Sequence, residues 1–225
     1  MTKTKDQTAK SDVAAILLAA GRSSRMGAFK PLLPFGNKTV IQSCIDYLRT
    51  GGIEEIVVVV GHQEENVREH LKGASVHFAV NQDPDSAMGV SIGCGVRALP
   101  TVSRATLIAL VDHPAVPAAV VAALIAERQK GSALVIPTWQ ERGGHPVLVD
   151  LQFRQQLESL DQSGGLKAFF AAHGSRVKRI AVNSPYVARD MDTWDDYRAL
   201  YLEIFGNQPP APHFPESNEN SRPLI

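Results

Sequence analysis

The stretch VAAILLAAGRSSRMGAFK, residues 13–30, decides how the whole sequence is interpreted. Its first eight residues are a continuous apolar run, the pattern of a β-strand buried on both faces of a parallel sheet. The run ends at Gly21, and the next nine residues carry the cations Arg22, Arg25 and Lys30. Glycine lets a backbone approach a ligand closely, and cations together with backbone N–H groups bind phosphate. The stretch therefore predicts a strand that leads into a polyphosphate-binding loop.

This loop matches neither of the two common glycine-rich phosphate motifs. A Walker P-loop has lysine directly after its second glycine, whereas Ala28 and Phe29 separate Gly27 from Lys30. The G-x-G-x-x-G pattern of dinucleotide-binding proteins is not present either. A solvated basic loop is the alternative. The position after the first strand, the framing glycines and the spaced cations favour an anion site.

Strand and helix patterns alternate from this stretch up to residue 131. Apolar runs predict further strands at 55–61, 75–81 and 105–112, and helical spacing predicts helices at 39–52, 63–73, 90–99 and 117–131. This alternation predicts an α/β fold with a doubly wound, Rossmann-like, mostly parallel sheet that has helices on both faces. The second half extends the same sheet less regularly, with two strands within 132–150, helices at 151–160 and 164–173, a strand at 176–182 and a last helix from Thr193.

The composition of the chain indicates its domain organisation and argues against some classes of partner. The 225 residues include 23 basic and 23 acidic residues, so no overall charge attracts nucleic acid or an acidic membrane. Two cysteines are too few for a disulfide framework, and no apolar run reaches the roughly 18 residues that span a bilayer. We expect a cytoplasmic protein with one domain at 12–205, a disordered N-terminus at 1–11 and a disordered tail at 206–225.

The L-A-A-G, R-M-G and lysine pattern of residues 18–30 resembles the signature loop of nucleotidyltransferases, which transfer a nucleoside monophosphate to a phosphorylated acceptor. Within that superfamily the chain most resembles the CTP:molybdopterin cytidylyltransferases, the molybdenum cofactor cytidylyltransferase group. The resemblance also covers NQDPDSAMGVSIGCGVRA (81–98), LVDHP (110–114), RGGHPVL (142–148) and DMDTWDDY (190–197). Gln82, His113 and Trp194 depart from it, because they stand where the family usually has proline, glutamine and proline.

The resemblance implies a nucleotide-diphospho-sugar transferase fold and a reaction. CMP would pass from CTP to the phosphate of molybdopterin or the molybdenum cofactor with release of pyrophosphate, and Mg²⁺, or Mn²⁺ in its place, would assist. Lys30, Arg25 and Asp112 are expected to be catalytic. Ala20 favours CTP, since the guanylyl relatives have L-A-G-G. The expected nucleotide-binding residues are Leu18, Ala19, Ala20, Gly21, Arg22, Arg25, Lys30, Asn81 and Ser91.

Two aspartates are expected to bind the metal. Asp112 ends a buried strand, so a charge appears where the sheet opens toward a ligand; the alternative is that it caps the helix near 117. For the second ligand the resemblance favours Asp192 over Asp190, although one of Asp190, Asp192 and Thr193 could instead cap the last helix. His113, Gly144 and His145 are expected on the acceptor side. Each histidine could equally be a packed structural residue.

Two other functions remain open at this stage. One is nucleotidyl transfer to another phosphorylated acceptor, such as methylerythritol phosphate or a sugar phosphate. The other is a non-catalytic accessory protein that carries the cofactor to a molybdenum hydroxylase. The expected partners are CTP and a molybdopterin-type acceptor, with a transient contact with a molybdenum hydroxylase.

Overall fold

The computed structural model describes residues 12–22, 26–83, 85–160 and 164–210. The strands are β1 (Val13–Leu18), β2 (Pro34–Phe35), β3 (Lys38–Thr39), β4 (Ile56–Val60), β5 (His77–Val80), β6 (Ala105–Leu110), β7 (Leu134–Trp139), β8 (Arg142–Gly143), β9 (Val147–Asp150) and β10 (Val177–Ala181). The α-helices are α1 (Val40–Thr50), α2 (Glu64–His70), α3 (Met88–Ala98), α4 (Ala118–Gln129), α5 (Arg154–Glu158), α6 (Gly165–Ala172) and α7 (Trp194–Phe205).

The central sheet has the order β10-β7-β9-β6-β1-β4-β5, and β8 pairs with β7. β1 is parallel to both β4 and β6, β4 is parallel to β5, and β10 is parallel to β7. β9 is antiparallel to its two neighbours. The predicted mostly parallel α/β sheet is therefore confirmed, and its second half contains two reversed strands, β9 and the short β8, which is antiparallel to β7.

Helices cover both faces of the sheet, and the alternating side chains of β1 pack against helices on each face. Its alternate residues Ala15 and Leu17 pack in the cluster that includes buried residues of α1 and α4. Ala14 and Ile16 pack in the opposite cluster with α3, α5 and α6. Because successive side chains of a strand point to opposite faces, a continuous apolar run is what a doubly covered strand requires.

Gly95 explains why a glycine-containing segment forms the helix α3. A Cβ atom at this position would lie 2.5 Å from Cγ2 of Ile16 and 3.0 Å from Cγ2 of Val59. The helix backbone therefore lies so close to β1 and β4 that only glycine fits. The intrinsic cost of glycine in a helix, about 1 kcal/mol, is offset by this packing.

The C-terminal helix α7 holds the segment that follows β1. Phe35, Tyr197 and Tyr201 belong to one buried cluster together with Met26. The hydroxyl of Tyr197 donates to the carbonyl of Pro34 at 2.7 Å, and the indole of Trp194 donates to the carbonyl of Met26 at 2.7 Å. The β2–β3 hairpin in this cluster was not predicted from the sequence, because two-residue strands leave no apolar pattern.

Most predicted elements end within a few residues of their predicted limits. β6 ends at Leu110, so Asp112 lies in the loop after the strand rather than at its last position. The 132–150 segment forms β7 and β9 with the short β8 between them. Among the described residues, none of the helices has the length and apolar character needed to cross a membrane. The segments 1–11 and 211–225, which were predicted to be disordered, lie outside the described residues.

Candidate active site

Two adjoining cavities open at the carboxyl ends of β1, β5 and β6. The first, about 240 Å³, includes Leu18, Ala20, Gly21, Asn81 and Ser91 in its lining and is called the nucleotide cavity below. The second, about 590 Å³, includes His113, Gly144, His145, Val187 and Asp192 and is called the acceptor cavity. Both are lined by Lys30, Met88, Leu110 and Asp112. The structure thus brings most predicted site residues to one cleft, which is where parallel sheets bind ligands.

The floor of the nucleotide cavity is fixed by the backbone that leaves β1. The amide of Ala19 donates to the carbonyl of Val59 at 2.9 Å, and the amide of Val111 donates to the carbonyl of Leu18 at 3.2 Å. Gly21 is exposed, and a Cβ atom added there would have no neighbour within 4 Å. The backbone at this position therefore faces open space in the cavity.

The buried side chain of Asn81 forms the hydrogen bonds that hold the loop after β5 in place. Its amide nitrogen donates to the hydroxyls of Ser86 and Ser91, each at 2.8 Å, and its carbonyl oxygen accepts from the amide of Asp83 at 3.1 Å. Asn81 and Ser91 are both buried. The side-chain amide of Asn81 is thus already engaged within the protein, so the hydroxyl of Ser91 is the better placed of the two to meet a base.

Of the two predicted arginines, the structure describes Arg22, which is exposed in the loop after β1. Arg22 forms an exposed ion pair with Asp85, with 3.2 Å between Nη1 and Oδ1. This pair joins the loop after β1 to the loop after β5. Exposed pairs contribute little to stability, about 0–1 kcal/mol, so an arriving triphosphate could displace Asp85 at small cost. Arg25 lies outside the described residues.

Lys30 is buried where the two cavities meet, with 8% of its surface exposed. It begins a 3-10 turn, Lys30–Leu32, and its Nζ donates to Oδ1 of Asp192 at 2.7 Å. A buried ammonium retains its charge only when a counter-charge or hydrogen-bond acceptors compensate for lost water. The contact with Asp192 supplies that compensation and joins the first loop to the start of α7.

Asp192 does not cap α7. The N-cap is Thr193, whose hydroxyl accepts from the amide of Asp196, while the Asp196 carboxylate accepts from the amides of Thr193 and Asp192. The Thr193 hydroxyl also donates to this carboxylate at 2.7 Å, and that hydrogen bond, followed by the one from the Thr193 amide, lowers the pKa of Asp196. The capping interpretation is therefore wrong for Asp192, because neighbouring residues perform that role.

Asp112 presents an unsatisfied oxygen at the same junction. Its Oδ1 atom is buried and receives no hydrogen bond from the described residues, and Nε2 of His113 is 3.7 Å away. Burial raises the pKa of Asp112; the charges of His113 and Lys30 oppose this, and those of Asp192 and Asp190 add to it. Asp112 does not cap α4, whose N-cap is Pro117. A buried carboxylate oxygen without a donor is an arrangement that a cation would complete.

The donor set is suited to a cation shared with a substrate. Among the described residues, no three His, Cys, Asp or Glu side chains are grouped so that they could hold a metal. Mg²⁺ in phosphate-handling sites is typically bound by one or two carboxylates together with substrate phosphates and water. Asp112 with Asp192 fits this pattern rather than that of a closed metal cage.

The two histidines form one wall of the acceptor cavity. The ring centroids of His113 and His145 are 5.8 Å apart. Nδ1 of His113 lies 3.1 Å from the carbonyl oxygen of Tyr186, and Nδ1 of His145 lies 3.4 Å from that of Ile108. Burial, followed by the charge of His113, lowers the pKa of His145 to about 4, so its ring is neutral at pH 7.

Gly144 is held by backbone contacts on both sides. Its amide donates to the carbonyl of Pro137 at 2.9 Å, and the amide of His145 donates to the carbonyl of Val187 at 2.7 Å. A Cβ atom on Gly144 would lie 2.0 Å from the carbonyl oxygen of Val187. Close packing explains this glycine, and the same contacts fix the position of His145.

Sequence reasoning missed several lining residues. Met88, Leu110, Val187 and Ala188 line the acceptor cavity, and Asp190 lies there together with Asp192. The apolar members carry no chemical signature, so nothing in the sequence marks them. The departure at Trp194 offered a usable signal, because a half-buried indole N–H needs an acceptor and here donates to the carbonyl of Met26 in the loop after β1.

A family model described as the MobA-like NTP transferase domain matches residues 15–177. The nicotine blue oxidoreductase of Paenarthrobacter nicotinovorans is 30% identical over 198 residues, which are 84% of this chain and 96% of that protein. A nucleotidyl transferase from Methanothermobacter thermautotroptrophicus superposes with a TM-score of 0.73 at 26% identity, covering 85% of this chain and 98% of that chain.

The manganese complex of Rv0371C from Mycobacterium tuberculosis H37Rv superposes with a TM-score of 0.70 at 25% identity and covers 84% of this chain and 97% of that chain. The family model spans more than half of the sequence, including the loop after β1 and the segments that contribute Asp112 and His145. The chain therefore belongs to the MobA-like NTP transferase family.

Proposed function

We propose that this MobA-like NTP transferase transfers CMP from CTP to the phosphate of molybdopterin, or of its molybdenum-loaded form, and releases pyrophosphate. The observation that carries the proposal is the meeting of two cavities at Lys30 and Asp112. One cavity has the backbone and hydroxyl groups that suit a nucleoside, and the other has room for a second molecule. A transfer between two phosphates needs such a junction.

The nucleotide cavity would hold CTP along the end of β1. Backbone groups of Leu18, Ala19 and Ala20 and the hydroxyl of Ser91 would contact the base, with Asn81 holding Ser91 in place. The methyl group of Ala20 reduces the room available to a purine. The triphosphate would follow the backbone from Gly21 toward Lys30, and the charges of Arg22 and Arg25 would help to bind it.

The reaction requires the protein mainly to position the two substrates and to neutralise the charge on their phosphates. A phosphate oxygen of the acceptor attacks the α-phosphorus of CTP, and the bond from that phosphorus to the oxygen of the departing pyrophosphate breaks. Lys30 lies where both cavities meet, so its ammonium group would neutralise charge on the α-phosphate as it develops. Such pre-oriented electrostatic contacts commonly change kcat by about 10²–10³.

Asp112 and Asp192 would hold a divalent cation between them, and we propose Mg²⁺, with Mn²⁺ able to replace it. The unsatisfied Oδ1 of Asp112 supports this assignment, as does the manganese present in the Rv0371C structure. When bound, the cation would neutralise phosphate charge. Asp192 would then be shared between the cation and Lys30, which keeps these charges within one network.

The acceptor phosphate would lie beside His113, Gly144 and His145. Because His145 is neutral at pH 7, its contribution is a hydrogen bond and a rigid wall rather than a charge. Delivery of the finished cofactor would involve a transient contact with a molybdenum hydroxylase.

The direct experiment measures pyrophosphate release from CTP, GTP and ATP in the presence of Mg²⁺ and molybdopterin. We expect release with CTP, and loss of release in Asp112→Asn. Release with a sugar phosphate or methylerythritol phosphate in place of molybdopterin would instead support transfer to another acceptor. Binding of molybdopterin without release from any nucleotide would identify an accessory protein.

A second candidate function comes from the relative named nicotine blue oxidoreductase, which is matched over nearly its whole length. An oxidoreductase would consume a reduced cofactor instead of releasing pyrophosphate. Adding reduced nicotinamide dinucleotides with a quinone-type dye and following absorbance separates the two. Oxidation of the nicotinamide without pyrophosphate release would replace nucleotidyl transfer as the proposed function.

A further inference from the structure

A third cavity adjoins the acceptor cavity and has a different character. It measures about 660 Å³ and shares Gly143, Gly144 and His145 with the acceptor cavity. We call it the distal cavity; its lining includes Ile136, Val147, Leu166, Phe170 and Val177, together with Lys167 and Arg179. Its volume falls within the roughly 300–1,000 Å³ that is usual for small-molecule sites.

The sheet and α6 form the opposite walls of the distal cavity. Val177 and Arg179 both belong to β10 and both line the cavity, as expected for alternate residues of a strand. Lys178 does not line it, and its charge instead acts on Glu127 of α4. The helix α6 contributes Leu166, Lys167 and Phe170 from the other side.

Lys167 and Arg179 give the distal cavity a positive charge. Among the described residues, no Asp or Glu lines it, and neither Lys167 nor Arg179 forms an ion pair with a carboxylate. A Cβ atom on Gly143 would lie 3.3 Å from Nη1 of Arg179, so the guanidinium extends over β8, beside the wall shared with the acceptor cavity. An apolar cavity with two cations suits a ligand that combines an apolar face with an anionic group.

We propose that the distal cavity binds the body of the acceptor, a flat heterocycle with a second anionic group, while the acceptor phosphate lies in the acceptor cavity. The inference rests on the proposed function, because it assumes that the acceptor cavity receives a phosphate. Arg179 and Lys167 pair with the second anionic group, and Phe170 and Val177 contact the ring. The site thereby selects long acceptors over short sugar phosphates, which would leave this cavity unfilled.

The test compares Arg179→Ala and Lys167→Ala with Lys178→Ala. Lys178 is the matched control because it is an exposed cation on the same strand that faces away from the cavity. Molybdopterin binding is measured by anaerobic calorimetry without nucleotide, and steady-state kinetics are measured with CTP. We expect Arg179→Ala to raise the Kd and KM for molybdopterin at least about tenfold, equivalent to about 1.4 kcal/mol, with the KM for CTP unchanged.

The outcomes separate this inference from the proposed function. Binding that depends on Arg179 without any turnover would support the distal site and contradict the transferase reaction. Turnover with molybdopterin that is unaffected by Arg179→Ala and Lys167→Ala would keep the reaction and overturn the distal site. Turnover of a sugar phosphate by a protein that does not bind molybdopterin would also overturn it. Thermal unfolding of each variant checks that these exposed substitutions leave the fold intact.

Discussion

Lys30 connects parts of the chain that are 162 residues apart in sequence, since its ammonium donates to the carboxylate of Asp192. The sequence predicted that both residues belong to the site, from their positions after the first strand and before the last helix. It could not predict that they touch each other, because side-chain contacts across such a distance depend on the packing of α7 against the loop. The contact places a carboxylate against a buried lysine beside the cleft.

The first prediction concerns Lys30 itself. Lys30→Ala should reduce kcat/KM for nucleotidyl transfer by about 10²–10³, because it removes the buried cation from the junction of the two cavities. Steady-state pyrophosphate release measures this. Lys38→Ala is the control, since Lys38 is an exposed cation nearby that pairs with Asp46. Equal activity of Lys30→Ala and Lys38→Ala would contradict the role given to Lys30.

The second prediction concerns His145 and pH. Its pKa in the folded protein is lowered from 6.5 to about 4, so the unfolded chain binds the proton more tightly. The wild type should therefore lose up to about 3 kcal/mol of unfolding free energy as the pH falls from about 6.5 to about 4. His145→Gln should remove that part of the pH dependence.

Urea unfolding at pH values from 7 to 4 measures this effect. His70→Gln, at the exposed end of α2, is the control and should keep the wild-type pH dependence. If His145→Gln and the wild type lose stability in parallel over this range, burial of a neutral imidazole is not the cause.

At the scale of elements, α7 connects the fold to the site. Its capping box places Thr193 and Asp196 directly after Asp192, and its first residue, Trp194, donates to the carbonyl of Met26. The start of this helix was predictable from the sequence because Thr193 precedes two acidic residues, Asp195 and Asp196. The packing of α7 against β2 and β3 was not predictable, since strands of two residues are too short to show a periodic apolar pattern.

The third prediction uses the capping boxes that begin α1 and α7, at Thr39 and Thr193. Thr193→Ala and Thr39→Ala each remove an N-cap and should each cost about 1 kcal/mol of unfolding free energy. Only Thr193→Ala should also lower transferase activity, because Asp192 precedes this cap and contacts Lys30. Denaturant unfolding and pyrophosphate release are measured on both variants. Equal activity losses in both would show that general destabilisation, not the position of Asp192, is responsible.

The direction of β9 marks another limit of the sequence at this scale. The apolar pattern of 147–150 predicts a buried strand but carries no information on whether it runs parallel or antiparallel to its neighbours. In the structure β9 lies between β6 and β7 and is antiparallel to both. This placement brings Gly144 and His145, just before β9, next to the loop that carries His113.

At the scale of the whole molecule, the alternating strand and helix patterns were sufficient to predict the parallel sheet on which the cleft depends. Parallel strands bring their carboxyl ends to one edge, so the segments after β1, β5 and β6 had to meet there. The distal cavity was not predictable in this way. Its two cations come from α6 and from β10, which is at the edge of the sheet, and no motif links Lys167 to Arg179.

The fourth prediction tests the central claim, that a nucleotide and a divalent cation meet at Lys30 and Asp112. The most direct measurement is an anomalous difference map from crystals grown with CTP and Mn²⁺. The account predicts a manganese peak between the carboxylates of Asp112 and Asp192, with the triphosphate against Lys30, and no peak in Asp112→Asn. A nucleotide bound outside the cavity lined by Gly21 and Ser91, or manganese bound away from Asp112, would contradict it.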